Sequence, residues 1–149
     1  MRSRLLGVDY GSVRIGLAVS DADRKIASPL ATYERRGPEA DTRYFQDLIE
    51  REEIGRIVVG LPVHLDGGEG RKAAEARAFG RWLGESTGLE IAFFDERFTT
   101  VEAEGALWSA GLTHRQRRER RDRVAAQIIL QAYLDAGCPE HSAPRGLDE

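Results

Sequence analysis

Cysteine is almost missing from this chain. Cys138 is the only one in 149 residues, so no disulfide can form within it, and a lone thiol fits a reducing compartment. Long apolar runs are missing too. No window approaches the ~18 residues that a membrane span needs, and the opening MRSRLLGVDYG meets Gly7 and Asp9 before a signal-peptide core could form. The expectation is a soluble, cytoplasmic protein that makes no membrane contact. Neither sign of charge dominates, with 22 basic against 25 acidic residues and a net charge of −3, which argues against a generic polyanion binder. Lysine is scarce: only Lys25 and Lys72 stand among the basic residues. An arginine excess suits bidentate phosphate contacts, and genome composition or heat adaptation also produces one.

What is present fits one domain, because a chain of this length can bury roughly 68–70% of its unfolded surface. Leu5 to Asp9 and Ile15 to Ser20 read as strands around a glycine-containing turn, and Ile26 to Thr32 as a third. Pro29 marks that third strand as an edge or a bulge. Amphipathic helices are expected over Thr42 to Glu53 and Arg71 to Gly84, with Gly88 just past the second. Arg56 to Leu61 and Glu90 to Asp95 read as buried strands. A capping box of Thr99 and Glu102 begins another helix with Ala103, Ala106, Leu107 and Ala110 inward, ended by Gly111. The last helix is expected from about Arg120 to Ala136, with Gln127, Gln131 and Asp135 as its polar stripe. A three-strand antiparallel meander followed by alternating helices and strands gives an α/β fold with a mixed sheet and helices on both faces. Residues 1–137 form the domain, and 138–149, CPEHSAPRGLDE, read as a flexible tail.

Three carboxylates stand where apolar segments end or begin: Asp9 in LLGVDYG, an acid of the Asp95–Glu96 pair in AFFDERFT, and Asp122 in RRERRDRVAAQIILQAYL. Charges beside buried segments are costly unless paired, and a hard divalent cation such as Mg²⁺ is a natural oxygen-binding partner. Asp9 shares a strand face with Leu5 and Gly7. Its plainer reading is a turn aspartate. Period two sends Asp95 and Glu96 to opposite faces, and spacing alone leaves open which one meets Asp9. Their plainer reading is a surface ion pair with Arg97. Asp122 doubles as a candidate helix N-terminal cap. The loop GLPVHLDGGEG, residues 60 to 70, joins a buried strand to a helix and could hold phosphate on its backbone N–H groups. It lacks the Gly-Lys-Ser/Thr of a Walker A loop. His64 and Asp66 within it could touch a substrate, although such loop residues are commonly just solvated. Six arginines between 115 and 123 repel one another unless an anion is near, and phosphate is the natural one. No aromatic platform for stacking RNA bases stands out.

In order along the chain, DYGSVRIGLAVSD, VVGLPVHLDGGEG, DERFTTVEA and DRVAAQIILQAYL resemble the YqgF/RuvX family, from Leu5 to Leu134. That resemblance implies an RNase H-like fold built on a five-stranded mixed sheet. Members are described as Holliday junction resolvases and, in bacteria, as nucleases processing the 5′-end of pre-16S ribosomal RNA. It also implies catalytic, metal-binding roles for Asp9, Glu96 and Asp122, choosing Glu96 over Asp95, with Mg²⁺ or Mn²⁺ as cofactor. Gly60, Pro62 and His64 would border the site. Arg14, Arg97 and the run containing Arg117, Arg118, Arg120 and Arg121 would position phosphates. Family members usually carry Asn where this chain has His64, a departure that touches fine substrate contacts and leaves the carboxylates unchanged.

The implied partner is nucleic acid, either pre-rRNA or branched DNA. A junction-resolving role would want a homodimer to meet a two-fold substrate, with Trp82 and Trp108 as candidate surface residues whose plainer place is the core. Two other readings compete. DYGSVRIGLAVSD also resembles the phosphate-binding hairpin of actin-like ATPases and sugar kinases, which need two such halves. A non-catalytic RNA-binding module of ribosome assembly or transcription would gain nothing from carboxylates facing phosphate.

Overall fold

The computed structural model describes residues 3–62, 68–96 and 111–139. Among them, five strands and three helices follow in chain order. The strands are β1 (Arg4–Asp9), β2 (Arg14–Ser20), β3 (Ala27–Glu34), β4 (Ile54–Leu61) and β5 (Glu90–Asp95). The helices are α1 (Pro38–Glu52), α2 (Arg71–Thr87) and α3 (His114–Asp135). One sheet runs in the order β3-β2-β1-β4-β5. β1 pairs antiparallel with β2, and β2 with β3, while β1–β4 and β4–β5 are parallel. The meander and the mixed α/β sheet expected from the sequence are both present. No described helix is long and apolar enough to cross a membrane.

β3 is an edge strand, and it also carries a bulge. Leu17 pairs with Ala31 but Ala18 pairs with Pro29, which leaves Leu30 as the extra residue. Proline cannot donate to a ladder, so edge and bulge are where it is tolerated. The start of this edge is closed by α3. Gln131 Oε1 accepts from the Ala27 amide at 2.8 Å, and Gln127 Nε2 donates to the Ala27 carbonyl at 3.1 Å. Two residues of the polar stripe of the last helix thus satisfy strand backbone, while the third, Asp135, is exposed and accepts from Gln131.

The two sheet faces are packed differently. On one, Leu6, Val8, Ile15, Leu17, Ile57, Val59 and Leu61 meet Phe45 and Leu48 of α1 and Phe79 and Leu83 of α2. On the other, Leu5, Ala18, Val58 and Ala92 meet Ala126, Ile129, Leu130 and Tyr133 of α3. Glycines let α3 lie close there. A Cβ at Gly7 would stand 2.7 Å from Leu130 Cβ, and one at Gly16 would overlap the Asp122 carbonyl.

Two helix starts differ from the sequence expectation. α1 begins at Pro38 rather than Thr42, because Pro38 stands at the first helical positions, where its fixed φ suits it. α3 begins at His114 rather than near Arg120. Thr113 and Gln116 form a reciprocal capping box, and arginine is a good helix former, so the basic run is helical. The helix expected after Thr99 lies outside the described residues. Of the expected tail, Cys138 packs against the α3-side core, and Tyr133 donates its hydroxyl proton to the Pro139 carbonyl at 2.5 Å.

Candidate active site

Asp9 ends β1, and Gly60 follows Val59, the β4 residue paired with Val8. Glu96 is the first residue after β5. All three therefore lie at the carboxyl ends of parallel-paired strands, where ligands bind in open α/β sheets. Strand alternation separates the two acids of β5. Ile91 and Phe93 pack on the α1/α2 side, Ala92 and Phe94 on the α3 side. Asp95 continues the first set, is only 3% exposed, and bears on Glu69, whose carboxylate is held by Arg77 at 2.8 and 2.7 Å. Glu96 turns over Gly60: a Cβ there would stand 2.7 Å from Glu96 Oε2. The choice left open by spacing is made by the pleat and by the absent side chain of Gly60.

Asp122 comes from α3. It lies more than two turns inside the helix rather than at its N-terminus. The dipole benefit fades within the first turn, so the capping role considered for it does not apply. Its counter-charge is Arg14, whose Nε donates to Asp122 Oδ2 at 2.9 Å.

Asp9, Glu96 and Asp122 line one cleft of about 460 Å³ with Arg14, Gly60 and Pro62. Burial, and after it the charges of Glu96 and Asp122, push the Asp9 carboxyl up to about 8. Glu96 is also raised, by burial and then by the charge of Asp95. Two carboxyls in one cleft that both resist ionisation mark a candidate functional site. Among the described residues no three His, Cys, Asp or Glu side chains are gathered as the ligands of one ion. The three acids share a cleft, then, without closing on a common point.

The basic residues divide. Arg14 lines the cleft. Arg118 stands one turn before Asp122 on the same helical face and is exposed. Arg121 is exposed on the flank. Arg117 and Arg120 fall on the opposite side of the helix by its 3.6-residue period. Arg117 donates twice to the Leu112 carbonyl, at 3.1 and 2.9 Å, tying down the helix start. His64, Asp66, Arg97 and Trp108 lie outside the described residues. Sequence reasoning missed Lys72, Glu75 and Tyr10, which also line the cleft. Lys72 had one signal: it is a rare lysine, in the first turn of the helix that follows the glycine-rich loop.

Sheet order, strand directions and an acidic cleft at the strand ends together define an RNase H-like domain. The family described as RuvX: Holliday junction resolvase matches residues 3–136, and the chain belongs to it. A protein of Rhodopirellula baltica named "Putative pre-16S rRNA nuclease" is 49% identical over 133 residues, 89% of this chain and 77% of that protein. One of Anaeromyxobacter sp. with the same name is 44% identical, over 89% of this chain and 96% of its own length. Thermus thermophilus RuvC, solved in complex with a Holliday junction substrate, superposes with a TM-score of 0.56 over 90% of this chain and 96% of that one. At 14% identity that likeness shows the fold.

Proposed function

We propose that this chain is a divalent-metal-dependent nuclease that hydrolyses phosphodiester bonds in structured nucleic acid, acting at the 5′-end of pre-16S rRNA. The observation that carries the reading is that Asp9, Glu96 and Asp122, from three separate elements, open on one cleft beside Arg14 and Lys72. The names of the relatives point to the RNA substrate.

The donor set fits Mg²⁺ or Mn²⁺. It is all carboxylate oxygen, and a dication would oppose both the burial and, after it, the neighbouring carboxylate charges that push Asp9 up to about 8. Asp9, Glu96 and Asp122 would hold the cation. When bound, it would supply water activation and charge stabilisation at the leaving oxygen. The remaining work belongs to the chain. Asp9 must give up its proton and Arg14 must share or release Asp122. Lys72 and Arg14 would then hold the phosphate. Gly60 keeps room for Glu96 to turn toward the cleft.

The Arg14–Asp122 ion pair is the observation on the side of a non-catalytic RNA-binding module, because it occupies one of the acids. One experiment separates the readings. Purified protein is incubated with pre-rRNA fragments and with four-way DNA junctions in Mg²⁺ or Mn²⁺, beside Asp9→Asn and Asp122→Asn. Cleavage by the unsubstituted protein alone is expected, with RNA preferred. Junction cleavage by a dimer would move the substrate to DNA. Binding without cleavage would favour the module, and cleavage surviving both substitutions would sink the site.

A further inference from the structure

Beside the acidic cleft lies a second groove of about 320 Å³, which shares Tyr10 and Glu75 with it. Its walls are aromatic. The Tyr10 and Phe79 ring centroids are 5.0 Å apart, and those of Phe79 and Trp82 are 5.5 Å apart. The Arg35 guanidinium carbon sits 5.6 Å from the Tyr10 centroid and 5.2 Å from that of Phe79. Arg35 is fixed there. Its Nη1 donates to the Tyr10 hydroxyl at 3.2 Å, and its Nε faces Asp41 Oδ2 at 3.5 Å. Asp41 is itself buried and accepts from the Tyr33 hydroxyl at 2.5 Å and the Arg36 amide at 3.0 Å. Trp82 packs on Phe45 and Phe79 and remains half-buried at the groove.

The chemistry of these walls selects the occupant. The groove's guanidinium, Arg35, is already engaged by Asp41 and Tyr10. Glu75, which faces Arg71 Nε at 3.4 Å, can accept further hydrogen bonds, so the groove suits a base edge better than a second phosphate. Aromatic faces and a guanidinium plane stack on heteroaromatic rings. A carboxylate accepts from the N–H edges of such rings. The groove is continuous with the cleft, and Tyr10 is the chain neighbour of Asp9, about 3.8 Å along the backbone. A ring on Tyr10 would therefore belong to a nucleotide at or next to a phosphate held at Asp9.

We propose that this groove is a stacking subsite for an unpaired nucleobase flanking the phosphate in the acidic cleft. Trp82 and the Tyr10–Arg35 surface supply the stacking planes, and Glu75 receives the base edge. The proposal rests on the nuclease reading above and deepens it. A base in the groove cannot be paired, so the strand must be single or splayed there. No stacking platform stood out in the sequence, because Tyr10, Arg35, Phe79 and Trp82 are dispersed along the chain and meet only in the fold.

The test measures binding of a fluorescein-labelled single-stranded RNA dodecamer in Mg²⁺, on an Asp9→Asn background so that the strand is not consumed. An abasic ribose is moved along the strand one position at a time. One or two positions should weaken binding by about five- to 150-fold, and the strand annealed to its complement should bind less tightly than when single. Trp82→Leu should weaken the intact strand about tenfold and flatten the abasic profile, which a general loss of folding would not do. Should Trp82→Leu fail to fold, the abasic scan on the parent protein decides alone. A flat scan with salt-dependent binding intact overturns the groove and leaves the nuclease reading standing. No binding to strand, duplex or junction at low salt overturns the nuclease reading, and the groove falls with it.

Discussion

The two faces of the sheet do different jobs with different residues. Toward α1 and α2 the strands present Leu, Ile and Val against Phe45, Phe79 and Leu83. Toward α3 the same strands present Gly7, Gly16, Ala18, Gly60 and Ala92. The first face removes large apolar surface from water, worth roughly 25 cal/mol per Å². The second gives up side-chain volume so that a helix can come close enough to bring Asp122 beside strand-end acids. One face is built to hold the chain folded, the other to hold repelling charges near each other.

Asp9→Asn breaks the comparison most sharply. It should lower cleavage by about a thousandfold or more, because it removes a proposed metal-holding acid. It should also raise stability. Burial and two neighbouring carboxylates lift Asp9 to about 8 in the folded chain, against about 3.9 unfolded. The folded state therefore favours the neutral form. That advantage is complete below the unfolded value and is lost as pH rises toward 8. The variant, which cannot ionise, should melt together with the parent near pH 4 and on the order of 10 °C above it past pH 8. Thermal melts in EDTA across that range check it, and equal melting temperatures at every pH would show that Asp9 is not held under electrostatic strain.

Phe45→Ala should do the reverse. Phe45 is fully buried at the centre of the aromatic cluster with Tyr33, Tyr44, Phe79 and Trp82. Truncation should cost about 3–5 kcal/mol in denaturant unfolding. Cleavage per folded molecule, measured well below the new melting temperature, should stay within about threefold of the parent, provided that α3 and its acids keep their places.

Gly60→Ala sharpens the contrast with a single methyl group. The added carbon would stand 2.7 Å from both Glu96 Oε2 and Ile129 Cδ1. Both are ends of flexible side chains, so the fold can yield, at about 1 kcal/mol. Glu96 has to move, and a displacement near 1 Å can cost up to about hundredfold in rate. A tenfold to hundredfold fall in kcat with a nearly unchanged melt is expected. A large loss of stability with kcat preserved would mean that Gly60 serves packing alone.

This asymmetry explains what could be read from the sequence. Four of the strands were legible as short apolar runs bounded by turn residues, β3 was legible as a proline-marked edge, and Gly7 with Asp9 already shared a face by period two. Asp122 was legible as an acid of interest with a helix cap as its plainer reading, since the helix was expected to start near Arg120, whereas Thr113 and Gln116 close a capping box further back. Spacing could not choose Glu96 over Asp95, because the choice depends on which strand face α3 covers. Lys72 left only the faint signal of a rare lysine after a glycine-rich loop, and Glu75 and the Tyr10–Arg35–Phe79–Trp82 groove were invisible for the same reason. Their meaning lies in contacts between α1, α2 and the first turn, and no local pattern encodes those.

The smallest expected effect tests whether the α1/α2 face is purely apolar support. Asp41 is 1% exposed within it and accepts the Tyr33 hydroxyl. Burial pushes Asp41 up, but hydrogen bonds from Tyr33 and the Arg36 amide, with the charge of Arg35, outweigh burial and hold it below the usual carboxylate range. Burial, and then the hydrogen bond to Asp41 and its charge, push Tyr33 up to about 12, so the phenol stays a donor throughout. A lowered folded value contributes stability above the unfolded value of about 3.9, lost as pH falls through the folded one. Tyr33→Phe should therefore cost about 1 kcal/mol at pH 7, and the gap to the parent should narrow as pH drops below about 4. Because Asp41 also faces Arg35, loosening it frees the guanidinium that roofs the aromatic groove. The same variant should then weaken single-stranded RNA binding a few-fold while leaving duplex binding alone. A stability gap that persists unchanged at pH 3 would mean that the phenol contributes by packing rather than through the ionised carboxylate.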